Sequence, residues 1–238
     1  MDLDNWVRSR PLRPRLAMVI YDCDGVLIDS EPLCDRVLAD ILTDLGWPMT
    51  AAESHRRFIG LSFYDVQPMV EARIGRALGP SWIDEVVERV VAVMAVEVEA
   101  VPGAADALAA TTALGLPWRI ASNSSHEEMA AKFHRTGLTA TVAGRLHSAQ
   151  DIVARGGRGK PAPDIYLAAA AAQQVAPAAC LVIEDSVAGV RAAIAAGMTC
   201  LGFSPDHDGA RLRDLGAVPF HSMYALPDIL RRLLENPV

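Results

Sequence analysis

Cysteine is scarce in this chain: Cys23, Cys34, Cys180 and Cys200 are the only four. No two form a C-x-x-C, and no histidine stands at zinc-finger spacing from them. That excludes a disulfide scaffold and a structural zinc site, and it leaves reduced, mostly buried thiols that suit a cytoplasmic protein. Long hydrophobic runs are also missing. The run VVAVMAV, Val90 to Val96, is too short to cross a bilayer and is flanked by acids. Met1 to Arg15 carries acids and prolines in place of an apolar core, so neither a signal peptide nor a membrane partner is expected. Nor is there an excess of positive charge. At a net charge of −7 the chain is a poor nucleic-acid binder, because phosphate backbones demand clustered Lys and Arg. A small anionic ligand remains compatible, since one local cation can outweigh the global balance. There are no internal repeats and no low-complexity tract beyond a richness in alanine. On assembly the sequence is silent, leaving a monomer or a small homo-oligomer open.

What the chain does contain is a series of short, apolar runs rich in β-branched residues that stop abruptly at polar residues. They are Leu16–Tyr21, Pro117–Ala121, Cys180–Ile183 and Met198–Phe203, and each reads as a buried strand of a parallel sheet. Helical, alanine-rich segments lie among them at Glu127–Arg135, Asp164–Gln174 and Val187–Ala196. Gly137 and Gly197 stand where helices should end. Strand and helix alternating in this way predict an α/β fold, a Rossmann-like, doubly wound parallel sheet. From Ser30 to Val101 the rhythm changes to helix-period patterning with no convincing strand. Residues 30–101 therefore read as an inserted α-helical domain, and residues 1–29 with 102–238 as the α/β core.

The polar residues that follow the strands are informative, because ligands of such sheets bind at the carboxyl ends of the strands. Asp22 and Asp24 follow the first, Ser122–Ser125 the second, and Glu184, Asp185 and Ser186 the third. Lys160 lies in the Gly/Pro-rich loop RGGRGKPAPD before a helix. Taken singly, Asp24-Gly25 reads as a turn, the serines and Glu184-Asp185 as helix caps, and Lys160 as a solvated loop residue. Taken together, they place carboxylates, hydroxyls and one lysine on a single edge. Carboxylates crowded at one point need a cation, and hard oxygen donors suit Mg²⁺. Ser122 and the N–H groups after it suit phosphate oxygens, and Lys160 suits an anion. The set favours phosphoryl transfer, with a carboxylate available as nucleophile. His126, His134 and His147 show no partner spacing and read as surface or structural residues.

DCDGVLIDSE, IASNSS, GKPAPDIY and VIEDSVAGVRAAIAAGM, in this order, closely resemble the haloacid dehalogenase-like hydrolase superfamily. The helical insertion is similar to that family's cap domain. The resemblance implies that Asp22 is the nucleophile and Asp24 the proton donor and acceptor, with its backbone carbonyl on Mg²⁺. It implies that Ser122 and Lys160 hold the phosphoryl group, that Asp22 and Asp185 ligate the metal, and that Glu184 does so directly or through water. Asp24 favours phosphoryl transfer, since dehalogenases of the superfamily lack this second aspartate.

Within the superfamily the chain resembles the β-phosphoglucomutase and phosphatase group, and most closely the branch containing bacterial 6-phosphogluconate phosphatase. Cys34 stands where the mutases carry His, and Phe63 where they carry Arg, so hydrolysis is expected over mutase chemistry. The expected substrate is a small phosphorylated sugar, sugar acid or polyol. Asn123, Gly60 and Ser62 are candidate substrate-binding residues, with Leu61 and Phe63 beside them; Phe63 and Tyr64 read equally well as cap core. A sugar-phosphate mutase is the alternative reading. A non-catalytic binding protein and a receiver-type domain are weaker ones, given the intact set of Asp22, Asp24, Ser122, Lys160 and Asp185 and the helical insertion.

Overall fold

Met18–Tyr21 forms β1, and every one of its residues is buried. The computed structural model describes residues 15–58, 61, 63–205 and 208–235. Seven more strands follow in chain order: β2 (Ile28–Asp29), β3 (Glu99–Ala100), β4 (Trp118–Ser122), β5 (Leu146–Ser148), β6 (Cys180–Glu184), β7 (Thr199–Phe203) and β8 (Val218–Phe220). Six of the eight strands form one sheet in the order β5-β4-β1-β6-β7-β8. Every pairing in it is parallel. The chain builds outward from β1 on one side, returns, and builds outward on the other. The carboxyl end of β1 therefore lies at the switch point of a doubly wound sheet.

Both faces of β1 are covered, which explains its unbroken hydrophobicity. Met18 and Ile20 pack with Ile165, Tyr166 and Val190 from the helices Asp164–Ala171 and Val187–Ala195. Tyr21, pointing the opposite way by strand alternation, meets Trp118 edge-on at 6.1 Å between ring centroids. Its hydroxyl lies 2.6 Å from Thr111 Oγ1 on the helix Ala104–Ala113. Because Thr111 spends its one proton on Ala107 O at 2.7 Å, Tyr21 is the donor in that pair.

The described chain divides into two compact units, one running up to Ile28 and resuming at Ala100, the other spanning Asp29–Glu99. The second unit is built from the helices Glu31–Asp44, Ala51–Phe58, Phe63–Ile74 and Trp82–Glu97. Val37, Leu38, Ile41 and Leu42 form the buried stripe of the first, and Trp82, Val86, Val90 and Met94, four apart, that of the last. Trp47 and Phe58 pack edge to face at 6.0 Å, and the guanidinium groups of Arg57 and Arg73 lie 5.2 and 5.7 Å from the Trp47 ring centroid.

The structure departs from the sequence expectation in several places. Glu99–Ala100 is a strand, paired with β2, inside the region read as wholly helical. The helix from Asp164 ends at Ala171, and Gln174 adopts a left-handed φ of 55° three residues later. The strand β2, which pairs with Glu99–Ala100, was not expected either, and nor were the strands β5 and β8. These last two are three residues long, and β8 contains Pro219, which a sheet tolerates at its edge. Gly137 and Gly197 do follow helices in the left-handed region, as read from the sequence. Among the described residues no helix is long and apolar enough to cross a membrane. None of the four cysteines is in a disulfide, and Cys23, Cys180 and Cys200 are buried.

The Tyr21–Thr111 pair yields a measurable asymmetry. Thr111→Val strands a buried phenol and should cost about 1–3 kcal/mol, whereas Tyr21→Phe leaves Thr111 bonded to Ala107 and should cost about 1 kcal/mol. Urea denaturation of both variants tests this, and equal losses would show that the phenol has a second partner.

Candidate active site

Asp22 follows the last residue of β1, and its N–H donates to Ile183 O at 2.9 Å, extending the parallel ladder by one bond past the strand. Its side chain is thereby fixed over the middle of the sheet. Lys160 Nζ reaches it, 2.5 Å from Asp22 Oδ1 and 2.7 Å from Glu184 Oε1. The lysine side chain is only 4% exposed. Asn123, exposed at the end of β4, accepts the Lys160 backbone N–H through Oδ1 at 3.1 Å and so ties the lysine loop to the serine loop.

Glu184, fully buried, accepts five hydrogen bonds. Tyr166 Oη and Lys160 Nζ donate to Oε1, and the N–H groups of Asp185 and Ser186 with the Ser186 hydroxyl donate to Oε2. Burial disfavours its charge, but Lys160 and these donors outweigh that and hold its pKa below the usual glutamate value. Asp22 lacks such a ring of donors. Burial pushes its pKa up to about 7 despite Lys160, and the neighbouring Glu184 adds to the rise. Lys160, between the two, is held above the ordinary lysine pKa: the carboxylates outweigh the burial that opposes its charge.

Asp22, Glu184 and Asp185 each bring a carboxylate oxygen within 4.8 Å of the others'. The donor set is oxygen only, which fits a hard divalent cation such as Mg²⁺. Two glycines make room for it. A Cβ on Gly25, whose φ is +75°, would lie 1.9 Å from Asp185 Oδ2, and one on Gly189 would lie 1.5 Å from Glu184 Oε1. The carboxylates could not sit where they do beside any other residue.

Asp24 turns away from this trio. Both of its oxygens accept from Lys132 Nζ, at 2.7 and 2.9 Å, and Oδ2 also accepts from Ser124 Oγ at 2.9 Å. Lys132 Nζ further donates to Ser124 Oγ at 3.0 Å. Burial works against the ammonium charge, yet Asp24 beside it keeps the Lys132 pKa above the usual value. The serines divide their roles. Ser125 caps the helix His126–Arg135 in a reciprocal box with Glu128, whereas Ser122, buried at the end of β4, accepts the Ser124 N–H at 3.0 Å. Ser186 likewise caps the helix Val187–Ala195. The capping role considered for each cluster thus falls to one serine and leaves its neighbours for the site.

Asp22, Asp24, Ser122, Lys160, Glu184 and Asp185 therefore gather around the carboxyl ends of β1, β4 and β6. Gly60 and Ser62 lie outside the described residues. Leu61 and Tyr64 are exposed, Tyr64 to 76%, so it is not core, and Phe63 is half-buried. His126, read as a surface or structural residue, pairs on the surface with Asp151 at 2.7 Å. Sequence reading missed Lys132 and Tyr166, and it placed Ser124 at the strand-end edge without a role of its own. For Lys132 a signal existed: of 22 Lys and Arg residues only Lys132 and Lys160 are lysines, and Lys132 falls on the buried face of its helix with Met129 and Phe133.

Known proteins share this arrangement of sequence and fold. The family model described as haloacid dehalogenase-like hydrolase matches residues 16–197. The 6-phosphogluconate phosphatase of Escherichia coli is 30% identical, over 90% of this chain and 95% of that protein. Hexitol phosphatase A of the same organism is 32% identical, over 86% of this chain and 90% of that protein. A solved HAD family hydrolase from Deinococcus radiodurans, with bound phosphate and sodium, superposes with a TM-score of 0.78 at 33% identity, covering 95% of this chain and 100% of that one.

The glycine cradle predicts a specific loss. Gly25→Ala should weaken Mg²⁺ binding at least about tenfold by displacing Asp185. Gly137→Ala carries a comparable left-handed strain of about 1–2 kcal/mol, but nothing lies within 4 Å of its Cβ, so it should bind Mg²⁺ like wild type. Calorimetric titration of both with Mg²⁺ decides, and equal affinities would show that the cradle does not shape a metal site.

Proposed function

The chain belongs to the haloacid dehalogenase-like hydrolase family, and we propose that within it this protein is a Mg²⁺-dependent phosphatase of a small phosphorylated sugar, sugar acid or polyol. The observation that carries this reading is the separation of the two aspartates. Asp22 faces Lys160 and the carboxylate trio, whereas Asp24 is held by Lys132 and Ser124. A nucleophile and a proton carrier need such different surroundings.

In the first step an Asp22 carboxylate oxygen attacks phosphorus and forms an aspartyl phosphate. The bond from phosphorus to the ester oxygen breaks, and Asp24 gives its proton to the departing alkoxide. In the second, Asp24 takes a proton from water, the water oxygen attacks the same phosphorus, and the bond to Asp22 breaks to release inorganic phosphate. The Ser122 hydroxyl donates to a phosphoryl oxygen, and Lys160 offsets the charge shared by Asp22 and the phosphoryl group. The side chains of Asp22 and Asp185 and the Asp24 backbone carbonyl would hold Mg²⁺. Glu184, its oxygens already engaged by protein donors, would support the ion through Lys160 and the Asp185 loop. When bound, the cation lowers the electrostatic cost of bringing a phosphate ester to a cluster of carboxylates.

The relatives named for a phosphorylated sugar acid and for hexitols support the substrate class. So does the absence of Arg at Phe63 and of His at Cys34, which leaves a second phosphate without the partners expected of a mutase. The helical unit Asp29–Glu99 would be the cap that selects among these esters, with Asn123 and the segment around Gly60 and Ser62 as candidate contacts.

Phosphate release from a panel of sugar, sugar-acid and polyol phosphates, with Mg²⁺ and with EDTA, tests the reading. Release should require Mg²⁺ and fall on the order of 10⁴-fold or more in Asp22→Asn. Release that survives in Asp22→Asn would remove Asp22 as nucleophile. Isomer interconversion on adding a sugar bisphosphate, without phosphate release, would make the protein a mutase.

A further inference from the structure

Lys132 takes part in no bond made or broken in the chemistry above, yet its environment is as closely built as that of Lys160. Its side chain is 5% exposed, on the buried face of a surface helix, and its ammonium group meets both oxygens of Asp24 and the Ser124 hydroxyl. A buried lysine is costly unless a specific partner compensates it. In this chain the choice of lysine is itself a signal. Arginine fills every other cationic position, so a bias of composition alone would have put arginine at 132 as well. A compact ammonium meets two carboxylate oxygens and a hydroxyl from a single nitrogen, whereas a guanidinium spreads its donors over a rigid fork.

We propose that Lys132 is a positioning residue for proton transfer: with Ser124 it fixes the Asp24 carboxyl group so that Asp24 delivers its proton to the leaving oxygen of the phosphoester. This rests on the phosphatase reading above. Two features of the geometry carry it. Asp24 is clamped through both oxygens, which removes its side-chain torsional freedom, and the clamp comes from the elements that follow Ser122, so Asp24 is held in register with the phosphoryl-binding hydroxyl. Proton donation by a positioned acid contributes roughly 10²–10⁴-fold, and more as the leaving group worsens. A displaced acid should therefore cost most with poor leaving groups.

The test compares kcat/KM for p-nitrophenyl phosphate, phenyl phosphate and glucose 6-phosphate in wild type and Lys132→Met. For a covalent mechanism this constant reports the steps up to release of the alcohol, in which Asp24 acts as acid. The variant should lose about 100-fold or more with glucose 6-phosphate, less with phenyl phosphate, and under about threefold with p-nitrophenyl phosphate. Its Mg²⁺ affinity by calorimetry should match wild type. Should Lys132→Met fail to fold, Lys132→Gln, which keeps a donor without the charge, is read by the same three constants. An equal fall with all three esters, or no fall with any, would overturn the proposal while leaving the phosphatase reading intact. A wild type that releases phosphate neither from these three esters nor from any member of the panel above would bring down the phosphatase reading, and this one with it.

Discussion

Lys160 sits between Asp22 and Glu184 at hydrogen-bond distance from both, and much of the site is organised around that contact. Buried carboxylates repel one another strongly where water is excluded, so each must be matched by a donor or a cation. The fold supplies these unevenly. Glu184 receives enough donors to stay ionised, while Asp22 is left partly uncompensated at the centre of the sheet. Asp22, Glu184 and Asp185 bring three carboxyl groups together beside one ammonium group, Lys160, and a divalent cation would offset the negative charge that they share.

The same economy appears in the loops. Each polar cluster at a strand end combines a residue that starts a helix with residues that face the site. Ser125 and Ser186 satisfy helix N–H groups, and this sets the course of the chain so that Ser122, Ser124 and Asp185 fall where they do. Glycines complete the arrangement by omission, since Gly25 and Gly189 occupy positions where a methyl group would displace a carboxylate.

Much of this was legible in the sequence. The buried strands β1, β4, β6 and β7 announced themselves as apolar runs because both of their faces are covered, and the site residues announced themselves by ending those runs. The edge strands did not. Leu146–Ser148 is short and half polar, and Val218–Phe220 contains a proline, so neither carries a strand pattern. Pairing was less legible than position. That Asp24 belongs to Lys132, 108 residues away, and Glu184 to Tyr166 depends on how helices pack on the sheet, which local spacing does not encode. Nothing in the alanine-rich sequence around Tyr166 marks it for the site, and only the fold turns its hydroxyl toward Glu184.

The scarcity of lysine has a consequence for how this protein meets its chemical surroundings. Lys132 and Lys160 are its only side-chain amines, and both are almost wholly enclosed, at 5% and 4% exposure. Reactions that decorate most proteins at surface lysines, such as acylation, reductive methylation or amine-directed cross-linking, find no exposed lysine to consume them here. A lysine adduct on this chain would mark the floor of the site itself. The extent of that labelling would report how often the site opens to solvent.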